Sequence, residues 1–474
     1  MRRWILPLVL LVIAGVAAWQ AVATDEALAD ETVAPASAPG PSLTTPLVSF
    51  RRVPEYLRAP AIVNNLVTDL DALTTTFPTQ SCLVVTIDGE EVYASNPTLP
   101  LIPASAQKLV TAYGVYELLG PDHTFQTRAV TEATLVDGVL DGDLWLIGGG
   151  DPLVATTDYV ARYEPPHSLT DLERMADAVV AAGVTEITGA VRGDEGRYDD
   201  QRYVSSWPPR FTNLDQNQTG PISALTVNDG FLRFDATNPA NSLSTAATDP
   251  AQFAAAFFDD LLEDRGVIIR QSAASGDAPA GATDLVDPLV SDPVTVSTNL
   301  MVSASDNMGA EMLLKELGFE ASGLGTTLSG ATALEALLRE RGLSVAETDI
   351  ADGSGLSSEN RLTCRLLVEI IDDSAESGLL DGLAVAGESG TLEERLVGTA
   401  AEGRIAGKTG RLNEVGALAG TAVGEDGTVL TFAWVANTTD FYPVDDMTSA
   451  QDRLAFQLIE YPEGPSADAL APIG

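Results

Sequence analysis

The spacing of apolar and polar positions changes several times along the chain, and each change marks a different kind of element. From Ala61 to about Thr75 the apolar residues recur at helical intervals. Cys82–Ile87, then Asp88-Gly89, then Glu91–Ser95 predicts two strands joined by a tight turn, a β-hairpin. Pro103 stands near the start of a helix that must end before Gly120-Pro121. From about 121 to 290 the texture is of short strand-like runs between Gly, Asp and Pro turns: Ala129–Val136, Leu144–Gly148, Ile187–Arg192 and Phe231–Asp235. Helical stretches at about 169–182 and 250–265 interrupt them. This predicts a separate β-rich insertion. Longer helices return after 291. Arg404–Thr409, Val415–Val423 and Val429–Ala436 then predict an antiparallel meander, and an amphipathic helix closes it from about Ser449 to Tyr461. No internal repeat is visible.

The ends are different. Arg2 and Arg3 precede an uninterrupted apolar run from Trp4 to Ala18, and Ala21-Val22-Ala23 fits a small-x-small cleavage site. Residues 1–23 therefore read as a signal peptide or, uncleaved, as a membrane anchor over 4–23. Either places the body of the protein outside the cytoplasm: secreted, periplasmic or in the cell-wall space. Residues 24–50, rich in Pro, Ala, Ser, Thr and acids, read as a disordered linker, and 463–474 as a disordered tail. The domain expectation is thus 51–120 and 291–462 as two parts of one domain, with 121–290 inserted between them.

Charge narrows the partners. There are 26 basic and 68 acidic residues, a net charge of −42. Nucleic acid and anionic lipid both need a basic surface, so neither is expected as a partner, and any membrane contact would be through residues 4–23. The two cysteines, Cys82 and Cys364, read as buried free thiols, although export would permit a disulfide.

Only three lysines occur: Lys108, Lys315 and Lys408. Arginine stays protonated at ordinary pH, whereas a desolvated lysine can lose its proton and act as a base. Lys108 closes Ser105-Ala106-Gln107-Lys108, one helical turn after a serine near a helix start. Lys408 opens Lys408-Thr409-Gly410, on a strand that begins the meander, and Ser305-Asp306-Asn307 joins two helices between them. The set is complete for acyl transfer. Ser105 is the candidate nucleophile and Lys108 its base. Ser305 can relay a proton to a leaving amine, Asn307 can bind a substrate amide, and Lys408 supplies a cation near the serines. Thr409 offers a hydroxyl to a substrate carboxylate, and the backbone N–H groups of Ser105 and Arg411 are the candidate oxyanion donors. Lys315, on the helix after Asn307, reads as a solvated surface residue.

Rival chemistries are poorly supplied. The only histidines, His123 and His167, lie among prolines and turn residues, so a Ser-His-Asp triad is not supported. There is no His-Glu-x-x-His and no Cys/His cluster for a metal. Gly148-Gly149-Gly150-Asp151-Pro152 lacks the lysine of a phosphate loop and reads as a structural turn. No metal or organic cofactor is implied.

At this point the chain resembles a known family, the D-alanyl-D-alanine carboxypeptidase/endopeptidases of the class C penicillin-binding proteins, over nearly all of 50–462. Beyond the three motifs, the resemblance is carried by Pro103-Ala104, Gly148 to Pro152, Ala310-Glu311, Asp352-Gly353-Ser354-Gly355-Leu356-Ser357 and Gly390-Thr391-Leu392 with Arg395. Class A β-lactamases share the motif types but have a much shorter interval than that from Ser105 to Ser305, and their Glu-x-x-Leu-Asn segment has no counterpart. The resemblance implies an α+β, penicilloyl-serine transferase fold: an antiparallel sheet flanked by helices, with the β-rich domain inserted between the first two motifs. It implies a serine D,D-peptidase that hydrolyses the D-Ala-D-Ala end, and often D-Ala–diaminopimelate cross-links, of peptidoglycan stem peptides, with β-lactam antibiotics as covalent inhibitors. Gly353, Ser354, Gly355 and Leu356 would lie beside the substrate, as would Thr409, Gly410 and Arg411. By similar placement, Asp199 or Asp200 would reach a cationic end of the substrate side chain. Two features depart from the family: Ser358 stands where members often carry arginine, and the insertion is shorter than in the larger members. The alternatives are a β-lactamase or esterase on the same scaffold, and a non-catalytic muropeptide-binding protein.

Overall fold

Asp88 and Gly89 both adopt positive φ, 51° and 76°, so the turn between Gln80–Ile87 and Glu90–Ser95 twists with its strands and closes the predicted hairpin. In the computed structural model, which describes residues 53–161, 167–212, 218–233, 244–438 and 444–465, this hairpin is the far edge of a six-stranded antiparallel sheet. The order runs Ala384–Val385, Ile405–Leu412, Val415–Val423, Val429–Asn437, Gln80–Ile87, Glu90–Ser95. Val84 pairs with Ala433, so the N-terminal hairpin joins the C-terminal meander across more than three hundred residues of chain.

Strand periodicity divides the sheet into two buried faces. Leu83, Val85, Leu418, Phe432 and Trp434 face the helices Val53–Thr74 and Val444–Ile459. Cys82, Val84, Ala417, Ala419, Ala433 and Val435 face a helical layer that includes Gln107–Gly114, Val294–Ser303, Asn307–Ser322 and Cys364–Asp373. The alanines on this second face let helix Cys364–Asp373 pack close to the sheet, while every residue of Gln107–Gly114 is buried within the helical layer.

Residues 126–290 build sheets and a core of their own. Val191–Asp194 pairs in parallel with Leu144–Ile147, which is antiparallel to Gln126–Thr131. Helices Leu172–Ala181 and Pro250–Asp264 cover them, capped by Asp171 and Asp249. Two of the strand runs expected from the sequence are each split: Gln126–Thr131 and Leu135–Val136 lie in different sheets, as do Glu186–Ile187 and Val191–Asp194. A further cluster of Tyr198, Val204, Trp207 and Phe211 packs this region onto Met308 and Met312. Contacts unite Pro60–Gly464 in one compact unit. The expected leader, linker and most of the tail lie outside the described residues.

Two expectations are corrected. Cys82 and Cys364 form a disulfide, with Cα atoms 5.9 Å apart, rather than two free thiols. The first residue of helix Cys364–Asp373 sits against the strand that carries Cys82, and no periodicity argument links positions 282 residues apart. Lys315 is fully buried, not solvated. Helix Asn307–Ser322 is enclosed on every side from Met308 to Gly318, so the ammonium has no water to reach. It donates instead to Asp199 Oδ1 at 2.5 Å and to the carbonyl of Gln201 at 2.9 Å.

Candidate active site

The predicted helix after Pro103 begins as a 3₁₀ turn, Ala104–Ala106, and becomes α-helical only at Gln107. Ser105 is on that turn, half-buried where its neighbours Ala104 and Ala106 are wholly buried. Ala104 holds φ at 48° and Ser305 at 64°, a region costly for side chains with a Cβ. Such strain at both serine motifs fits backbone held in place by its surroundings for the sake of the site.

Lys108 is fully buried and uses all three ammonium donors: Ser105 Oγ at 3.1 Å, Asn307 Oδ1 at 2.7 Å and Ser354 O at 2.7 Å. Burial lowers its pKa to about 8, against the opposing pull of Asp306, Asp352 and Glu311. Asn307 is held at both ends, its Nδ2 donating to Gln218 O at 2.7 Å. Its position is set by Asp306, which caps helix Asn307–Ser322 by accepting from Met308 and Gly309 N–H at 3.0 and 2.9 Å.

Lys408 is buried on strand Ile405–Leu412 and donates to Thr409 O at 2.9 Å. Burial, and then the charge of Lys108, push its pKa well below the usual lysine value. Thr409 Oγ1 reaches Thr391 Oγ1 at 2.7 Å. The neighbouring strand Ala384–Val385 pairs only with Gly407 and Ala406, so Lys408 to Leu412 present an edge it does not cover. Gly410 lies against the serine turn: a Cβ there would meet Pro103 O at 2.8 Å and Ala106 N at 3.2 Å.

Gly353 to Leu356 are buried beside the serine turn, and of the four Leu356 alone lines the cavity that Ser105 lines. Gly355, at φ 85°, passes so close to Ala104 O that a Cβ would sit 1.8 Å from it. Two buried carboxylates fix this loop. Glu311, one turn beyond Asn307, accepts from Ser354 N–H at 2.8 Å and Gly353 N–H at 3.1 Å. Asp352 accepts from Gly355 and Ser357 N–H at 2.8 and 2.6 Å, from Asn360 Nδ2 at 2.7 Å and from Trp207 Nε1 at 2.7 Å. Burial, and then Asp352, raise the Glu311 pKa.

Ser105, Ser305, Asn307, Thr409, Arg411 and Leu356 thus line one cavity of about 640 Å³. Neither Asp199 nor Asp200 lines it: Asp199 is the partner of buried Lys315, and Asp200 is exposed. Ser358 is also exposed and outside it. The motifs did not by themselves single out the cavity's Arg210, Phe211 and Gln218, which come from the insertion and have no local pattern, nor Thr391. They also did not single out Glu311, although its i+4 spacing from Asn307 was a usable signal. The glycine run 148–150 is a structural turn, where a Cβ at Gly148 or Gly149 would strike the backbone of Ala224 or Gln126 at 2.2 Å. Among the described residues no group of His, Cys, Asp and Glu could hold a metal.

The chain is similar to known proteins in sequence and in fold. Residues 63–242 and 235–458 match the D-Ala-D-Ala carboxypeptidase 3 (S13) family. A D-alanyl-D-alanine carboxypeptidase of Actinomadura sp. (strain R39) is 30% identical over 81% of this chain and 82% of its own length. A carboxypeptidase of Mycobacterium tuberculosis is 29% identical over 74% of each. Among solved structures, penicillin binding protein 4 of Haemophilus influenzae superposes with a TM-score of 0.70 at 19% identity, over 82% of this chain and 99% of that one. A predatory endopeptidase of Bdellovibrio bacteriovorus gives 0.52 at 18% identity, over 82% and 94%. The fold is the α+β, penicilloyl-serine transferase one, and with its serine–lysine site the chain is a serine D,D-peptidase that belongs to the D-Ala-D-Ala carboxypeptidase 3 (S13) family.

Proposed function

We propose that this enzyme cleaves the terminal D-Ala-D-Ala bond of peptidoglycan stem peptides through an ester on Ser105, with Lys108 as base. One observation carries the assignment of roles. Two of the three partners of Lys108, Asn307 Oδ1 and Ser354 O, can only accept hydrogen bonds. When Lys108 is neutral its two N–H groups stay on those acceptors, and its lone pair is left facing Ser105 Oγ.

Ser105 then passes its proton to Lys108 as Oγ bonds to the carbonyl carbon of the penultimate D-Ala. The carbonyl oxygen takes the electron pair and is met by the N–H groups of Ser105 and Arg411. The C–N bond breaks as the leaving nitrogen receives a proton through Ser305, which frees D-Ala and leaves the Ser105 ester. Water attacks the ester, Oγ recovers its proton, and the shortened peptide departs. The substrate lies extended along the open edge of the Lys408 strand. Its carboxylate meets Thr409 and Arg411, with the amine of Lys408 buried behind them. Asn307 keeps one N–H for a substrate carbonyl. A leaving amine from a cross-linked peptide in place of free D-Ala gives the endopeptidase reaction on the same steps.

A β-lactam presents a carboxylate and a reactive amide to the same groups, and a relative of this fold is known in complex with one. Action on peptidoglycan places the enzyme outside the cytoplasm; among the described residues no helix is long and apolar enough to cross a membrane. Intact-mass analysis after mixing with penicillin tests the reading. A long-lived adduct, absent in Ser105→Ala, is expected. Rapid turnover through a transient adduct would favour a β-lactamase, and no adduct would favour a muropeptide-binding protein.

A further inference from the structure

The charge of the cavity contrasts with that of the chain. Acids outnumber bases 68 to 26 overall, yet no carboxylate among the described residues lines the cavity at Ser105, while two arginines, Arg210 and Arg411, do. Elsewhere ten arginines are held in ion pairs with carboxylates. Arg210 and Arg411 are in no such pair among the described residues.

The two arginines come from different parts of the fold. Arg411 continues the Lys408 strand, along which the proposed reaction lays the substrate's C-terminal carboxylate. Arg210 belongs to the insertion, beside Phe211 and before Gln218, whose carbonyl holds Asn307. Its guanidinium lies over the Phe211 ring, 4.5 Å from the centroid. Stacking covers a face of the guanidinium and leaves its in-plane N–H groups free, the arrangement suited to a bidentate carboxylate. A peptide ending in D-Ala-D-Ala has one obligatory carboxylate, and Arg411 with Thr409 answers it. Arg210 is half-buried and has no acid partner among the described residues, so a second anion brought by the substrate gains a charge-assisted contact there.

We propose that Arg210 selects stem peptides carrying a free side-chain carboxylate on the residue that precedes the two alanines. This rests on the D,D-peptidase reading above and adds to it the charge of the side chain that the cleft accepts. The carboxylates expected from the sequence to greet a cationic side chain, Asp199 and Asp200, are outside the cavity, so the side chain meets an arginine instead.

Four acyl-Xaa-D-Ala-D-Ala peptides test it, with Xaa ending in a carboxylate, a primary amine, a methyl amide or an alkyl group. The alkyl peptide is the internal reference, and each result is a ratio of kcat/KM within one protein. Wild type is expected to favour the carboxylate peptide over the alkyl one about tenfold at low salt, as one charge-assisted contact provides. Arg210→Gln should bring that ratio to about one, and Arg210→Glu should move the preference to the amine peptide. A wild-type preference for the amine or alkyl peptide, or a carboxylate preference that survives both substitutions, overturns the proposal while hydrolysis of the alkyl peptide keeps the peptidase reading intact. Hydrolysis of none of the four by wild type overturns both.

Discussion

The Glu311 carboxylate accepts from Ser354 N–H at 2.8 Å, and the carbonyl of the same Ser354 accepts from Lys108 Nζ at 2.7 Å. The buried acid thus positions the base through one residue of backbone. Glu311→Gln keeps the shape but removes a charge that holds the Lys108 pKa up. kcat/KM is expected to fall about tenfold through the loosened loop. The acidic limb of its pH profile should also move to lower pH, a shift that a purely structural defect would not produce.

Lys108 carries the plainest pH prediction. Its folded pKa is lowered to about 8 by burial, and only the neutral form can take a proton. Activity is therefore fully present above that pH and lost as pH falls through it. kcat/KM should drop about tenfold per pH unit on the acidic side. Lys108→Arg, which keeps the charge but not the basicity, should lose about 10³-fold or more in penicillin acylation, measured by single-turnover mass spectrometry.

Gly410 allows the Lys408 strand to lie on the serine turn. In Gly410→Ala the new methyl would meet Pro103 O at 2.8 Å, a backbone atom that cannot swing aside. Displacing strand from turn separates the Arg411 and Ser105 N–H groups, so acylation is expected to slow about 10²-fold with secondary structure unchanged by circular dichroism.

These effects bear on what a single sequence can disclose. Ser105, Lys108, Asn307 and Lys408 were legible because short spacings such as Ser-x-x-Lys are already local geometry. The sheet was legible strand by strand, since Leu83/Val84 and Phe432/Ala433 alternate faces with period two. Its closure by the N-terminal hairpin was not, because pairing Val84 with Ala433 leaves no trace in either segment. The same holds for Cys82 with Cys364 and for Arg210, whose place at the cavity depends on how the insertion packs on Met308 and Met312. Lys315 misled for another reason: a lone lysine looks solvated, and the apolar residues all round its helix were the better guide.

The Cys82–Cys364 bond closes a sequence separation of 282 residues and joins the central sheet to helix Cys364–Asp373. A cross-link over so long a loop mainly restricts the unfolded chain. Cys82→Ser with Cys364→Ser, or reduction in denaturant, is expected to cost about 2–4 kcal/mol, read from the urea midpoint with and without reductant. Penicillin acylation below the transition should persist, because neither sulfur lines the cavity.

Lys315 and Asp199 should separate stability from specificity. The lysine is fully buried and Asp199 is 30% exposed, so the pair is half-screened from water. Asp199→Asn leaves a buried ammonium with Gln201 O and a weaker acceptor. Breaking such a pair from one side is expected to cost about 2 kcal/mol, below the range for pairs with both partners buried. If Asp199 read the substrate, the substitution would also change the ratio of kcat/KM between carboxylate and amine peptides. With Asp199 held by Lys315 outside the cavity, the expected result is a lower urea midpoint and an unchanged ratio; a changed ratio at full stability would return Asp199 to the substrate site.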